Sequence, residues 1–529
     1  MRPLQGILPN NFRGNPLLSF LLFIFAIVGA YEAAGFIVAG DMMGLAYVGL
    51  SLAVGAFVIA MLNNWRRGLY IFIAWLFFED LARKYLGNNM AIYFAKDFLV
   101  AVVYLSFFLA WRRKETQTFR PPFLVPVLLM VWLGIIQVFN PASPHIVYGI
   151  LGMKLFFYYI PLMLVGYALL DTEFELRRFF TVNLVLMILI ASLGIAQSIL
   201  GPTFLNPVVL QEDIRELSTL YRVAPISEVI VYRPTSVFVS TGRYADLLDV
   251  AWLMALGFVG YTLLRYRKGR WVGFLATALI AAGIVLASSR GAFAYAMISA
   301  VVMVAAFFWG APWKQREVLR IVRTIFRVGL GILLSMVLLL ASFPSALLDR
   351  LAVYSETLSP NSPKSELVHR ARDYPLRNFL GAFDYDRWPY GYGIGTTALG
   401  TQYVQKFVGV RPLGVGVESG FGALVIELGI AGLILWLIMS GAILFSAWRV
   451  VRRLRGSPWF TIGFIIFWNA FMMLIPFMVG GIQPYEDFVL NAFFWLLLGV
   501  LFRLPHIKVS AEMAAMESAD AQPQRFRFP

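Results

Sequence analysis

The chain has 529 residues, 60% of them hydrophobic and only 14% charged, with a mean hydropathy of +0.75, a balance that excludes a soluble fold because so much apolar surface could not be hidden from water. The net charge of +15 is no nucleic-acid footprint, since the cations sit in short clusters between apolar runs. With no cysteine and three widely spaced histidines, His145, His369 and His506, disulfides and a cysteine nucleophile are excluded and no metal site is expected.

Bilayer hydrocarbon offers backbone amides no water, and a helix needs about 20 apolar residues to cross it, so long apolar runs read as helices. The alternation of a membrane β-barrel is absent. The first run, Leu17 to Val38, follows a basic start but is too long for a signal-peptide core, and no small-residue cleavage site follows it. It is expected to be an uncleaved first span. Further spans are expected at 43–62, 68–80, 97–111, 122–139, 148–170, 178–200, 244–264, 271–287, 292–310, 328–343, 420–448, 458–478 and 487–502. The expected fold is therefore all-α and polytopic, a single transmembrane domain of about fourteen helices in the lipid bilayer.

Charge placement orients the chain. With the N-terminus cytoplasmic, Arg66-Arg67, Arg112 to Lys114, Arg265 to Arg270, Lys314 to Arg327 and Arg449 to Arg455 all fall on one side, which the positive-inside rule assigns to the cytoplasm. The tail, 503–529, is then cytoplasmic too, and polar enough from Ser510 onward to be disordered. Two long polar segments fall outside: 201–243, and 344–417 between spans 11 and 12. Loops of that length in a compact protein are usually functional. The larger carries Arg350, Lys364, Arg370, Arg372, Arg377, Arg387, Lys406 and Arg411, against the positive-inside trend. These cations either bind an anionic substrate or pair with neighbouring acids such as Asp349, Glu356 and Asp384.

Four outward segments have residues suited to chemistry. Ser288-Ser289-Arg290-Gly291 joins two spans at the membrane boundary, where an arginine costs about 2.5–3.5 kcal/mol unless compensated. A phosphate matches the guanidinium fork, Gly291 permits a tight turn, and the alternative is snorkelling to headgroups. The first long loop closes with Arg233-Pro-Thr-Ser and Thr-Gly-Arg243, able to cradle a pyrophosphate or a sugar. In the large loop, Arg370, Arg372 and Arg377 precede Trp388-Pro-Tyr390-Gly-Tyr-Gly-Ile-Gly, whose glycines let amides approach a ligand while Trp388 and Tyr390 offer faces to sugar rings. Glu418, at the start of the span that follows, either caps the helix or, if partly desolvated, accepts a proton from an attacking hydroxyl. Glu427, Asp249 and Lys154 are ionisable groups within spans that should face the bundle interior, and the charges of Glu79-Asp80, Arg83-Lys84 and Lys96-Asp97 are expected to pair with one another.

Together these segments resemble the O-antigen ligase and polysaccharide polymerase superfamily of bacterial inner-membrane glycosyltransferases. The likeness rests on Glu79-Asp80-x-x-Arg-Lys, Arg233-x-x-Ser-x-Phe, Ser289-Arg290-Gly291, the Arg-rich loop with its Gly-x-Gly turn, and Glu418-Ser-Gly followed by Glu427-Leu-Gly-Ile-Ala-Gly432. The resemblance implies a GT-C-like, metal-independent enzyme of the inner membrane, without a cofactor. It would take a glycan from undecaprenyl pyrophosphate to an acceptor glycan on the periplasmic face, in company with polysaccharide export and chain-length machinery. Arg290 and Arg372 would act on the pyrophosphate, Arg233, Arg243, Arg370 and Arg377 would help bind the substrate, and Glu418 would be the general base. Ligases of this superfamily have a histidine where this chain has Glu418, which favours a repeat-unit polymerase over a ligase. A lipid-linked oligosaccharide flippase is the rival of another class, but the single large outer loop is unlike a transporter.

Overall fold

A computed structural model describes residues 64–86, 90–206, 220–265, 270–312, 344–359 and 374–507, with isolated positions between 27 and 62 and between 326 and 341. The chain divides into two compact units, 1–118 and 119–529. The described residues are mostly helical, and eight helices are long and apolar enough to cross a membrane. They are Ile92–Arg112, Ile146–Leu169, Glu173–Leu200, Thr241–Arg265, Arg290–Gly310, Gly420–Arg453, Phe460–Gly480 and Phe488–His506, each at an expected span. Two shorter apolar helices, Leu124–Val138 and Gly273–Leu286, fall on two more. The expected spans 17–38, 43–62 and 328–343 lie largely outside the described residues, as does the tail beyond Ile507.

In the first unit α1 (Trp65–Leu86) packs against α2 (Met90–Arg112). Its charges pair as expected. Lys96 and Glu79 are both fully buried and 2.9 Å apart, and Lys96 Nζ also donates to Tyr93 O and lies 3.7 Å from the Tyr93 ring centre. Arg83 bonds Asp80 at 3.0 Å one turn along α1. Buried charges persist in a low-dielectric setting only when each finds a counter-charge and donors.

The second unit is built around α17 (Phe488–Arg503), every residue of which is buried. A helix apolar all round belongs in the middle of a bundle. It packs against α5 (Leu162–Leu169), α13 (Gly420–Arg453), α14 (Phe460–Leu474) and α7 (Thr241–Arg265). Small residues set the closest approach. A Cβ on Gly166 would lie 2.2 Å from Leu496 O, and one on Gly499 would lie 2.0 Å from Met163 O, so α5 and α17 meet backbone to backbone. Around them stand α3 (Leu124–Val138), α4 (Ile146–Phe157), α6 (Glu173–Leu200), α8 (Arg270–Leu286) and α9 (Arg290–Gly310). The exposed faces of α3 (Val125, Leu128, Trp132) and α9 (Ile298, Val301, Val304) are apolar at helical spacing, as lipid contact requires. At one end of α7, Arg265 and Tyr261 bind Glu173 Oε1 at 3.0 and 2.5 Å. Arg503 bonds Asp171 at 2.7 Å.

Neither long polar segment is wholly irregular. The first forms a two-stranded antiparallel hairpin, β1 (Tyr221–Val223) with β2 (Ile230–Tyr232), pairing Arg222 with Val231. The second contains α10 (Pro344–Leu358), α11 (Tyr374–Leu380) and α12 (Thr401–Val408). These helices are too short and too polar to register in a search for apolar runs. The remaining short helices, α15 (Pro476–Gly480) and α16 (Gln483–Glu486), link α14 to α17.

Replacing Lys96 by Met should leave Glu79 buried without its cation and cost roughly 3–5 kcal/mol. Thermal unfolding of the purified protein in detergent should show a clear loss for Lys96→Met and partial recovery when Glu79→Gln is added.

Candidate functional site

The site residues gather where α7 and α9 begin, at the end of α7 opposite Arg265. Gln197, near the end of α6, fixes the segment that precedes α7. Its Oε1 accepts from the amides of Thr235 and Ser236 at 2.8 and 2.7 Å, and its Nε2 donates to Phe204 O at 2.7 Å. Ser236, with φ of 52°, then turns its hydroxyl onto Ile190 O at 2.7 Å. Arg233 is thereby held half-buried beside this turn.

Arg290 is the first residue of α9, whose cap is Ser289, accepting from Ala292 N. The tight turn was expected at Gly291. It is made instead by Ser288, a non-glycine residue at φ of 51°, while Gly291 is helical. Left-handed backbone disfavours a side chain, so such residues persist where surrounding bonds hold them. Here Arg222 donates to Ser288 O at 2.8 Å, and Arg350, 3% exposed, donates from Nε to Leu286 O at 3.1 Å and from a terminal nitrogen to Tyr232 O at 3.0 Å. The Ser288 hydroxyl is fully buried with no hydrogen-bond partner among the described residues. α10 seals the turn, its Tyr354 stacking on Phe293 with ring centres 4.7 Å apart. Its Glu356 accepts from the amides of Ile226 and Ser227 in the hairpin.

Arg290 and Arg233 lie within electrostatic range of each other. Burial lowers the Arg233 pKa, and Arg290 lowers it further, against the opposing pull of Tyr354 and Asp246. Burial alone lowers the Arg350 pKa in the same way. Asp246 in turn is in range of Arg243, Asp487 and Asp249. Arg243 Nε donates to Asp487 Oδ2 at 2.6 Å and its guanidinium sits 4.0 Å from the Phe488 ring centre. Asp487 Oδ1 caps α17 through the amides of Val489 and Leu490. Three expected residues, Arg233, Arg243 and Arg290, are thus brought into one cluster with Asp246 and Asp487.

The Gly-rich turn forms a second locus. α13 is broken at Gly429, where φ is 73° and ψ is −174°, which frees the carbonyls before it. Tyr392 N donates to Ile426 O at 2.7 Å, Gly393 N to Glu427 O at 3.0 Å, and Gln137 Nε2 to Leu428 O at 3.4 Å. The Glu427 carboxylate, fully buried, accepts from Gly395 N (2.8 Å), Thr397 N (2.9 Å) and Thr397 Oγ1 (2.7 Å). The amides expected to meet a ligand are therefore spent on the chain itself. At Gly395 a Cβ would lie 2.2 Å from Tyr148 O, so the glycine serves close packing. Trp388 is half-buried against Phe383, and Tyr390 is 74% exposed with its carbonyl bound to Gln137.

Glu418 is exposed, and its neighbour Ser419 is the cap of α13, accepting from Gly422 N at 3.3 Å. The desolvation on which a general-base reading depends is not met at Glu418. Arg377 is exposed on α11, and Arg370 and Arg372 lie outside the described residues. None of Arg377, Trp388, Tyr390 and Glu418 bonds Arg233, Arg243 or Arg290 among the described residues. No family model matches the chain, and neither does any curated protein.

Sequence reasoning missed Gln197, Asp246, Glu486 and Asp487. Two adjacent carboxylates at the head of an apolar run were the available signal for the last pair. They face opposite ways: Asp487 toward Arg243, Glu486 toward the Gly-rich loop, where its Oε2 accepts from Leu399 N at 2.8 Å. Burial, with the Glu427 charge nearby, pushes the Glu486 pKa up to about 8 against the Leu399 hydrogen bond.

Two outcomes are expected. Glu427→Leu leaves the Gly395 and Thr397 amides without an acceptor, at roughly 1–3 kcal/mol for each buried donor, and should raise hydrogen exchange across 391–399. Glu486 holds its proton in the folded state to a higher pH than when unfolded, so stability should fall as pH rises from the ordinary carboxyl range to about 8 and then level off. Melting temperature against pH should show that slope in the wild type and lose it in Glu486→Gln.

Proposed function

We propose that this protein is a membrane glycosyltransferase that polymerises isoprenoid-diphosphate-linked repeat units on the outer face of the bacterial inner membrane. The observation that carries this reading is the pairing of like charges at the Ser288 turn. Arg233 and Arg290 are both half-buried and within electrostatic range of each other at the turn that holds the buried Ser288 hydroxyl, with Arg222 and Arg350 on the carbonyls around it. A diphosphate is the ligand that such an arrangement suits, because its several oxygens accept from two guanidinium forks at once. Its isoprenoid chain would remain among apolar helices while the sugar extends outward.

The chemistry follows from that placement. An acceptor hydroxyl attacks the anomeric carbon, and the bond from that carbon to the diphosphate breaks with its electron pair on the leaving oxygen. Preorganised cations in a water-poor site stabilise charge that grows on a leaving group. Arg233 and Arg290 would do this, while Arg243, braced by Asp487 and Phe488, would hold the glycan end. Arg372 and Arg370 remain candidates from the large loop.

The proteoliposome assay separates the readings. Lipid-linked repeat units accumulated in cells lacking the protein are supplied to the purified protein, and new glycosidic linkages are expected. Movement of the lipid across the bilayer without linkage would make it a flippase, and transfer of preformed glycan to another lipid a ligase. Arg290→Ala should lower linkage formation by 10²–10³, the size of a lost preorganised donor, roughly 2.7–4 kcal/mol, with the protein still present in the membrane; unchanged polymer length would contradict the assignment.

A further inference from the structure

With Glu418 exposed, the proposed transfer needs another group to take the acceptor's proton. The arginine cluster contains three carboxylates, and their environments differ. Asp487 is committed: one oxygen takes Arg243 Nε at 2.6 Å and the other takes the amides of Val489 and Leu490. Asp249 is 7% exposed, and its Oδ1 has no hydrogen-bond partner among the described residues. Asp246, one turn nearer the start of α7, is half-buried, and no described residue forms a hydrogen bond to its carboxylate. It is therefore the carboxylate an incoming hydroxyl can reach.

Its position follows from helix geometry. Arg243, Asp246 and Asp249 recur every three residues along the first turns of α7, so Asp246 is a helix-surface neighbour of both Arg243 and Asp249. Asp246 is in range of Arg233, Arg243, Asp249 and Asp487. Tyr295, from α9, is in range of both Asp246 and Asp249. The groups facing Asp246 are thus Arg233, Arg243, Asp249, Tyr295 and Asp487.

We infer that Asp246 is the catalytic base of the transfer, an assignment that rests on the glycosyltransferase reading above. As the acceptor oxygen bonds to the anomeric carbon, the hydroxyl proton passes to the Asp246 carboxylate and the diphosphate leaves with the electron pair of the broken bond. Arg233 thereby serves two partners, the leaving diphosphate and the base, which places attack and departure within one cluster.

The test uses full-length protein in proteoliposomes with the lipid-linked repeat units described above, and undecaprenyl pyrophosphate as a binding probe read by native mass spectrometry. Asp246→Asn should lower the rate of linkage formation by about 10²–10⁴-fold, the range of a lost general base, and remove the acidic limb of the pH–rate profile. It should bind undecaprenyl pyrophosphate as well as or better than wild type, since a negative charge beside the arginines is gone. Asp246→Glu, which keeps the carboxylate, should recover part of the rate. Full activity in Asp246→Asn overturns the assignment, and so does loss of probe binding in that variant, which would mark a structural role. Wild-type protein that forms no linkage overturns the glycosyltransferase reading and this assignment together.

Discussion

A carboxylate buried among apolar helices must be given donors, and in this protein the donors of Glu427 come from the loop that precedes its helix. Gly429 interrupts α13, three carbonyls lose their helical partners, and the Gly-rich turn supplies amides both to two of them and to the Glu427 side chain. The Gly-rich part of the large loop is in this way fastened to the bundle by backbone bonds, while Arg350 fastens the loop's first helix through the carbonyls of Leu286 and Tyr232. Glu486 extends the attachment to Leu399, and the next residue, Asp487, starts α17 and braces Arg243. One short acidic step thus ties the loop anchor, the central helix and the cationic cluster into a continuous piece of structure.

The cluster itself gathers arginines and carboxylates that the surrounding structure holds in place. Gln197 holds the Thr235-Ser236 backbone, Arg222 and Arg350 hold the carbonyls around Ser288, and α10 covers the turn. Left-handed backbone at Ser288, with a buried hydroxyl, is the kind of cost found where a site is shaped before its ligand arrives. A diphosphate on an isoprenoid chain is the proposed ligand because it answers both the cations and the apolar helices beneath them.

Much of the architecture was legible in the sequence because membrane spans announce themselves by length and apolarity. Each of the eight span-length described helices falls on an expected run, and the Glu79 to Lys96 charges pair as composition suggested. Arg233, Arg243 and Arg290 could be singled out because arginines near apolar runs stand out, but their clustering could not. The surroundings of Glu418 and of the Gly-rich turn were not legible for one shared reason: sequence locates a polar residue along the chain but not its depth. Glu418 and Glu427 are nine residues apart, yet the first is exposed and the second fully buried. Glycines that admit a ligand look the same in sequence as glycines that admit a neighbouring helix. Gln197 and Asp246 gave no signal alone, since each acts through a partner brought close only by the fold.

The most direct test of the central claim is a cryo-electron microscopy structure of the protein in nanodiscs containing undecaprenyl pyrophosphate. Diphosphate density between Arg233 and Arg290, with Asp246 facing the open side of the phosphate, is the predicted result. Diphosphate density elsewhere on the protein, with the Ser288 turn and both guanidiniums unliganded, would contradict the account.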